Sequence, residues 1–291
     1  MLQQNNLKSL TKGIGAEITE IDLSKPLDDT DFSFISEAFE AHRLLLFRNQ
    51  TLSAAAQVRF SERFGPLEDF PDPKDRADGF KTVLRVTNID KKTGALKPVD
   101  DPGHRSFTLG TSSWHIDSSF RQFPSLASAL YAIEIPSEGG ETMFADTVLA
   151  FKKLSNDFKK KIVGLKVIHD FEETRRRHGL PSRPPEVRAA TPPAIHPLVV
   201  ERPNGVKSLF IGSHASGIET MSQKDAKKLL DELESLCTKE EYTYTHHWKP
   251  GDLLFFDNIS VLHQAKSYDL TGSRRLLHRT TVAGTMALTF S

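Results

Sequence analysis

The chain contains a single cysteine, Cys237, among its 291 residues. No internal disulfide can form, and the thiol usage suits a reducing compartment. Charge of either sign is also lacking in excess. The 38 Lys and Arg balance 38 Asp and Glu, so there is no general electrostatic pull toward nucleic acid or an anionic membrane. About 18 consecutive apolar residues occur nowhere, and residues 1–6 carry neither a basic start nor a following apolar run, so neither a spanning helix nor a secretory leader is expected. Fixed-period repeats and low-complexity segments are missing as well. The expectation is a soluble, cytoplasmic protein that, at this length, forms one domain over 1–291, with a small molecule as partner and self-association left open.

Within that frame the pattern is of short strands with a few helices. Alternating apolar and polar residues over 16–23 predict a half-buried strand, and Leu44-Leu45-Leu46-Phe47 a buried one. Between them Thr30 or Asp31 can cap a helix carrying Phe32, Ile35 and Phe39, and Ser53 can cap a second with Phe60 and Phe64. Further strands are expected over 82–89, 126–135, 141–144, 252–256, 259–263 and 276–282, and Ser222 opens an amphipathic helix to about Cys237. Pro203-Asn204-Gly205 marks a hairpin. The run 90–110 mixes Lys, Gly, Pro and Asp without periodicity and is expected to be a long loop bordering a site. Residues 171–193, with Arg175, Arg176, Arg177, Arg183, Arg188 and five prolines, suit either a disordered insert or a mobile lid that attracts an anion. The Lys159-Lys160-Lys161 run is a solvated helix face. Many short strands with turn signals and flanking helices give a mainly β sandwich or jelly roll.

Chemistry concentrates in Ser113-Trp114-His115-Ile116-Asp117-Ser118-Ser119-Phe120. In an extended strand His115 and Asp117 point to the same face, offering an imidazole and a carboxylate to one metal. A third ligand would complete the facial two-histidine, one-carboxylate set associated with non-haem Fe(II) oxygenases. Of the 11 histidines, most, including His42 and His196, suit core or surface roles. His263 stands out because an apolar strand, Asp257 to His263, delivers it shortly before Arg274-Arg275 and Arg279.

Taken in order along the chain, Leu45-Leu46-Phe47-Arg48, Phe64-Gly65-Pro66-Leu67, the His115 stretch, Gly139-Gly140-Glu141-Thr142, Phe210-Ile211-Gly212-Ser213-His214-Ala215-Ser216, Trp248-Lys249-Pro250-Gly251-Asp252, Asp257-Asn258 to His263 and Arg274-Arg275 to Arg279 resemble the TauD/TfdA family of Fe(II)- and 2-oxoglutarate-dependent dioxygenases. The pattern is nearest the 2,4-dichlorophenoxyacetate dioxygenase branch and spans nearly the whole chain. The resemblance implies a double-stranded β-helix, iron ligands His115, Asp117 and His263, and 2-oxoglutarate anchors Thr142 and Arg275. It places at Arg279 a group for an anionic head of co-substrate or substrate, with Leu277 between the two arginines on one strand face. Ser118, Ser119 and His214 are implied to approach the substrate. The implied reaction consumes O2, decarboxylates 2-oxoglutarate to succinate and CO2, and hydroxylates a small anionic substrate, with ascorbate as a reductant in vitro. An aryloxyalkanoate would be cleaved to a phenol and glyoxylate. Taurine or another alkylsulfonate is the second substrate reading, and a metal- or 2-oxoglutarate-binding jelly roll without turnover is the reading from another class.

Overall fold

The computed structural model describes residues 2–288. Its organising element is a seven-stranded sheet that runs in the order Leu7–Ser9, Ala16–Ile18, Leu44–Phe47, Leu253–Asp257, Ala127–Glu134, Leu276–Val282, Leu84–Thr87. A three-stranded sheet, Thr243–His246, Thr142–Asp146 and Val261–Ala265, faces it. A second three-stranded sheet (Ala215–Ile218, Lys166–His169, Ala194–Pro197) and the hairpin Val199–Glu201 with Lys207–Leu209 complete the β structure. The molecule is therefore mainly a β protein in its core, with helices packed outside.

The central strands show why the apolar runs are continuous rather than alternating. In Leu253–Asp257, Leu253 and Phe255 enter one apolar cluster, while Leu254 and Phe256 enter another on the opposite face. Leu45 and Phe47 are likewise divided from Leu44 and Leu46. A period of two with both faces covered requires apolar residues at every position. On the outer face the covering elements are the helices Asp29–His42 and Ala54–Glu62, whose Phe39 and Phe60, with Phe64, pack on Phe255. Burial of each such ring contributes roughly 1.5–3 kcal/mol. The inner face meets Phe144 and Val261 from the facing sheet, and Trp248 just beyond the Thr243–His246 strand.

Helix starts follow local chemistry. Ser53, Ser155 and Ser222 accept from backbone N–H groups as N-caps. Asp28, not Thr30 or Asp31, caps the first long helix, because its carboxylate accepts from Asp31 N. The expected strand at 16–23 is confined to Ala16–Ile18, and the expected hairpin forms around Asn204. The long loop expected over 90–110 is corrected: Pro102–Thr111 is an α-helix, with Asp101 accepting from His104 N at its start and Pro102 in the first turn. Residues 171–193 likewise contain two short helices, Phe171–Arg177 and Pro185–Ala189. No helix among the described residues is long and apolar enough to cross a membrane.

Candidate active site and metal centre

Two histidines from distant parts of the chain are locked together by their own backbones. His115 N donates to the His263 carbonyl at 3.0 Å and His263 N to the His115 carbonyl at 2.9 Å, forming an isolated antiparallel bridge. Their ring centroids lie 4.0 Å apart. Asp117, two residues on, turns its carboxylate to the same side, with Oδ1 4.0 Å from His115 Nε2 and 3.9 Å from His263 Nε2. All three side chains are buried, and one ligand atom from each can be chosen within 4.8 Å of the others. Close packing behind them demands a glycine: a Cβ at Gly212, where φ is +121°, would meet His115 Cα and the Trp114 carbonyl at 3.1 Å.

The protonation states suit a divalent cation. His115 Nδ1 lies 2.8 Å from the Ser113 carbonyl, which can only accept, so Nδ1 carries the hydrogen and Nε2 presents its lone pair. Burial drives the pKa of both His115 and His263 below the ordinary imidazole value, against the opposing pull of Asp117. Burial pushes Asp117 upward, but Arg279 first, then His263, His115 and the Ser128 hydroxyl, hold it below the usual carboxylate range. Two neutral imidazoles and one carboxylate would leave a divalent metal one net positive charge and open coordination positions.

A cavity of about 310 Å³ opens from the triad, lined on the chemical side by His115, His263, Thr142, Arg275, Leu277 and Arg279. Arg275 is buried, and among the described residues the one hydrogen bond of its guanidinium runs from Nη2 to the Gly140 carbonyl at 3.2 Å, leaving Nε without a partner. Among the described residues no carboxylate lies near enough to affect it; burial lowers its pKa to about 10, which still leaves it a cation at neutral pH. A buried cation lacking a counter-charge is costly. A dicarboxylate reaching from the triad supplies that charge, and the guanidinium fork suits its far end. Gly140, at φ +71°, keeps room for the arginine, since a Cβ there would lie 3.3 Å from Arg275 Nε.

Thr142 is positioned by a residue whose role the sequence does not announce. Trp248 Nε1 donates to Thr142 Oγ1 at 3.0 Å. With that acceptor position filled, the hydroxyl hydrogen is free to point into the cavity as a donor. Trp248 in turn packs edge-on against His246, which is held by Asp252 and Tyr244. Arg279 does share the cavity face with Arg275 and Leu277, as strand spacing predicts, and its Nη1 donates to Asp117 Oδ1 at 2.7 Å. Arg274, by contrast, is an exposed partner of Glu134.

Three other expected residues sit behind the cavity wall rather than on it. Ser118, whose φ is +55°, gives its hydroxyl to Glu68, and Ser119 pairs with His169 Nδ1. Glu68 is itself buried and also holds Ser125 and Arg121, so it pins the turn that follows Asp117. His214 is buried between Phe120 and Phe171 with Nδ1 2.9 Å from Thr174 Oγ1, and burial lowers its pKa to about 3. The far part of the cavity is furnished instead by the corrected helix: His104, Phe107, Thr108, Leu109 and Thr111 all line it. In 171–193, Arg177 and Arg183 are paired with Glu173 and Glu172, and Arg175 Nη1 donates to Ser106 of that helix at 2.7 Å. Most of the basic run is thus spent on internal contacts.

Comparison with known proteins agrees with this geometry. The family model described as taurine catabolism dioxygenase TauD, TfdA family matches residues 6–281. An alpha-ketoglutarate-dependent 2,4-dichlorophenoxyacetate dioxygenase of Cupriavidus pinatubonensis is 34% identical over 92% of this chain and 94% of that protein. An alkylsulfatase of Acinetobacter baylyi is 31% identical over 97% of this chain and 86% of its own length. Among solved structures, AAD-2 in complex with Mn(II) and N-oxalylglycine superposes with a TM-score of 0.89 at 30% identity, covering 97% of this chain and 100% of that one. With the His115, Asp117 and His263 cluster opening into a cavity that ends on Arg275, the chain belongs to the TauD, TfdA family and is a 2-oxoglutarate-dependent dioxygenase.

Proposed function

We propose that the protein uses Fe(II), 2-oxoglutarate and O2 to hydroxylate a small anionic substrate, and that this substrate is an aryloxyalkanoate released as a phenol and glyoxylate. The observation that carries the reading is a buried His115, Asp117, His263 set whose two histidines line the same cavity as a buried Arg275 that has no counter-charge among the described residues. Once held by the three ligands, Fe(II) together with 2-oxoglutarate supplies the O2-dependent oxidising chemistry, and the keto acid leaves as succinate and CO2.

The chain's own residues bind, orient and exclude. His115 and His263 stay neutral and so remain ligands at neutral pH, and their reciprocal backbone bridge fixes the angle between the rings. Arg275 grips the distal carboxylate of 2-oxoglutarate and the Thr142 hydroxyl donates to the same group. Arg279 stands between Asp117 and the cavity, and its N–H groups not used on Asp117 can receive the substrate carboxylate. That grip would place the carbon beside the ether oxygen nearest the metal ligands, and hydroxylation there yields a hemiacetal that collapses to the two products. The ring would lie against Phe107, Leu109 and Leu270.

Among the described residues no carboxylate lines the cavity to pair with an ammonium group, which favours an aryloxyalkanoate over taurine. An alkyl sulfate or sulfonate without an amine is the second reading, supported by the likeness to an alkylsulfatase. The proposal includes a jelly-roll core, supported by the two facing sheets, and a single domain over 1–291 in which 171–193 covers the substrate helix, supported by the Arg175 to Ser106 bond. Purified protein given Fe(II), ascorbate and 2-oxoglutarate should release succinate faster with an aryloxyacetate, and yield a phenol. Succinate release stimulated only by alkyl sulfates or sulfonates would move the assignment to the second reading. Binding of 2-oxoglutarate without any succinate would leave only a non-catalytic binder.

A further inference from the structure

Asp117 has two oxygens with separate surroundings. Oδ1 faces the two imidazoles and Arg279, whereas Oδ2 accepts from the Ser128 hydroxyl at 2.8 Å. Ser128 lies in the Ala127–Glu134 strand of the large sheet and is fully buried. Its hydroxyl also receives a bond from Asn258 Nδ2 at 2.9 Å. Asn258, fully buried too, sits in the turn between Leu253–Asp257 and Val261–Ala265, the second of which carries His263. Its backbone N–H is fixed on the Leu126 carbonyl at 3.0 Å.

Chemistry sets the direction of this chain of bonds. An ionised carboxylate only accepts, so the one hydrogen of Ser128 must go to Asp117. Ser128 can then only accept from Asn258, which must present its NH2 group. The buried Asn258 Oδ1, which finds no partner, is consistent with an amide turned for its donor and not for its acceptor. The chain also joins two pieces of the fold. It ties the carboxylate ligand to the turn that delivers the distant histidine ligand.

We propose that Asn258 and Ser128 form a positioning relay that occupies Asp117 Oδ2, so that Asp117 offers the metal Oδ1 alone. A carboxylate free to rotate would lose its aim on the metal, and where it turned both oxygens inward it would consume a coordination position that the co-substrate needs. A one-oxygen carboxylate keeps three positions open. The inference rests on the metal reading of the triad, but not on any substrate. Neither residue touches the cavity wall, so both act through Asp117.

The test is Mn(II) binding to the metal-free full-length protein, measured by calorimetry and by the electron paramagnetic resonance of the bound ion. Ser128→Ala and Asn258→Ala should each weaken Mn(II) binding by about 10- to 100-fold, the usual range for a residue that orients a metal ligand. Because the two act in series, the double variant should bind no more weakly than the weaker single variant. The resonance of bound Mn(II) should change in Ser128→Ala and not in the Glu134→Gln surface control. Unchanged affinity in Ser128→Ala, or losses that multiply in the double variant, overturns the relay. Should Asn258→Ala not fold, Ser128→Thr, which keeps the hydroxyl, takes its place. Affinity retained in Ser128→Thr and lost in Ser128→Ala supports the proposal, and equal loss or equal retention in both overturns it. Wild-type protein that binds no Mn(II) would instead contradict the metal reading itself.

Discussion

The two ends of the cavity are built differently. At the chemical end, His263 and Thr142 come from strands, Arg275 precedes one, and His115 and Asp117 come from a bridged segment and the turn after it; all are buried, and they are held by backbone bridges or by Trp248, Ser128 and Gly140. At the far end one helix of ten residues, Pro102–Thr111, supplies His104, Phe107, Thr108, Leu109 and Thr111, and Phe107 is 38% exposed. A metal and a dicarboxylate need donors fixed to fractions of an ångström, and paired strands hold them. A substrate's apolar body needs only shape, which a helix can alter at little cost to the sheets. Under the proposed function, the difference assigns reaction type and substrate choice to separate structural elements.

Substitutions can break that comparison, and the largest effect is expected at the ligand shared by most contacts. Asp117→Ala should abolish measurable Mn(II) binding and leave the half-buried Arg279 without its partner; retained binding would show that the three side chains are not the metal site. Trp248→Phe should weaken 2-oxoglutarate binding by about tenfold, or 1.4 kcal/mol, through loss of the bond that orients Thr142, while Mn(II) affinity stays as in the wild type. A Trp248→Phe variant that lost metal and co-substrate together would indicate general damage. At the far end, Phe107→Ala should raise the KM for an aryloxy substrate roughly 3- to 5-fold and leave that for 2-oxoglutarate alone. Equal changes in both constants would erase the division between the ends.

The smallest effect at neutral pH belongs to His214. Its folded pKa of about 3 lies below the unfolded value of 6.5, so below pH 6.5 the unfolded chain takes up a proton that the folded one refuses. Stability should therefore fall as pH drops from 6.5 toward 3, by up to about 1.4 kcal/mol per pH unit from this group. His214→Gln should flatten that slope in melts taken between about pH 7 and pH 5, with little change above it. An identical slope in both proteins would place the titration elsewhere.

Part of the chemical end was legible in the sequence through strand periodicity: the apolar delivery of His263 and the Arg275, Leu277, Arg279 alternation put side chains on the face where the structure has them. The double-sided burial of Leu253–Asp257 was readable for the same reason. His115 and Asp117 do converge, but not on the expected strand, since His115 makes an isolated bridge and Asp117 lies in the turn that follows. Ser118 and Ser119 were less legible, since they lie in the turn that begins at Asp117, and the positive φ at Ser118 goes with hydroxyls directed to Glu68 and His169. The helix at 102–111 was hidden by Gly103, Gly110 and a short apolar face, yet Asp101-Pro102 carried an N-cap and first-turn signal that could have located it. Contacts such as Trp248 to Thr142, 106 residues apart, leave no local pattern, because nothing in either segment's spacing depends on the other.

The central claim is that Arg275 is the far anchor of a keto acid bound beside the triad, and one titration tests it most directly. Mn(II)-loaded protein is titrated with 2-oxoglutarate and with 2-oxobutyrate, which lacks the distal carboxylate, for the wild type and for Arg275→Gln. Removing one partner of a buried charge-assisted pair costs on the order of 3 kcal/mol, so the wild type should prefer 2-oxoglutarate by about 100-fold. Arg275→Gln should bind the two acids alike. A variant that keeps the wild-type preference would contradict the account.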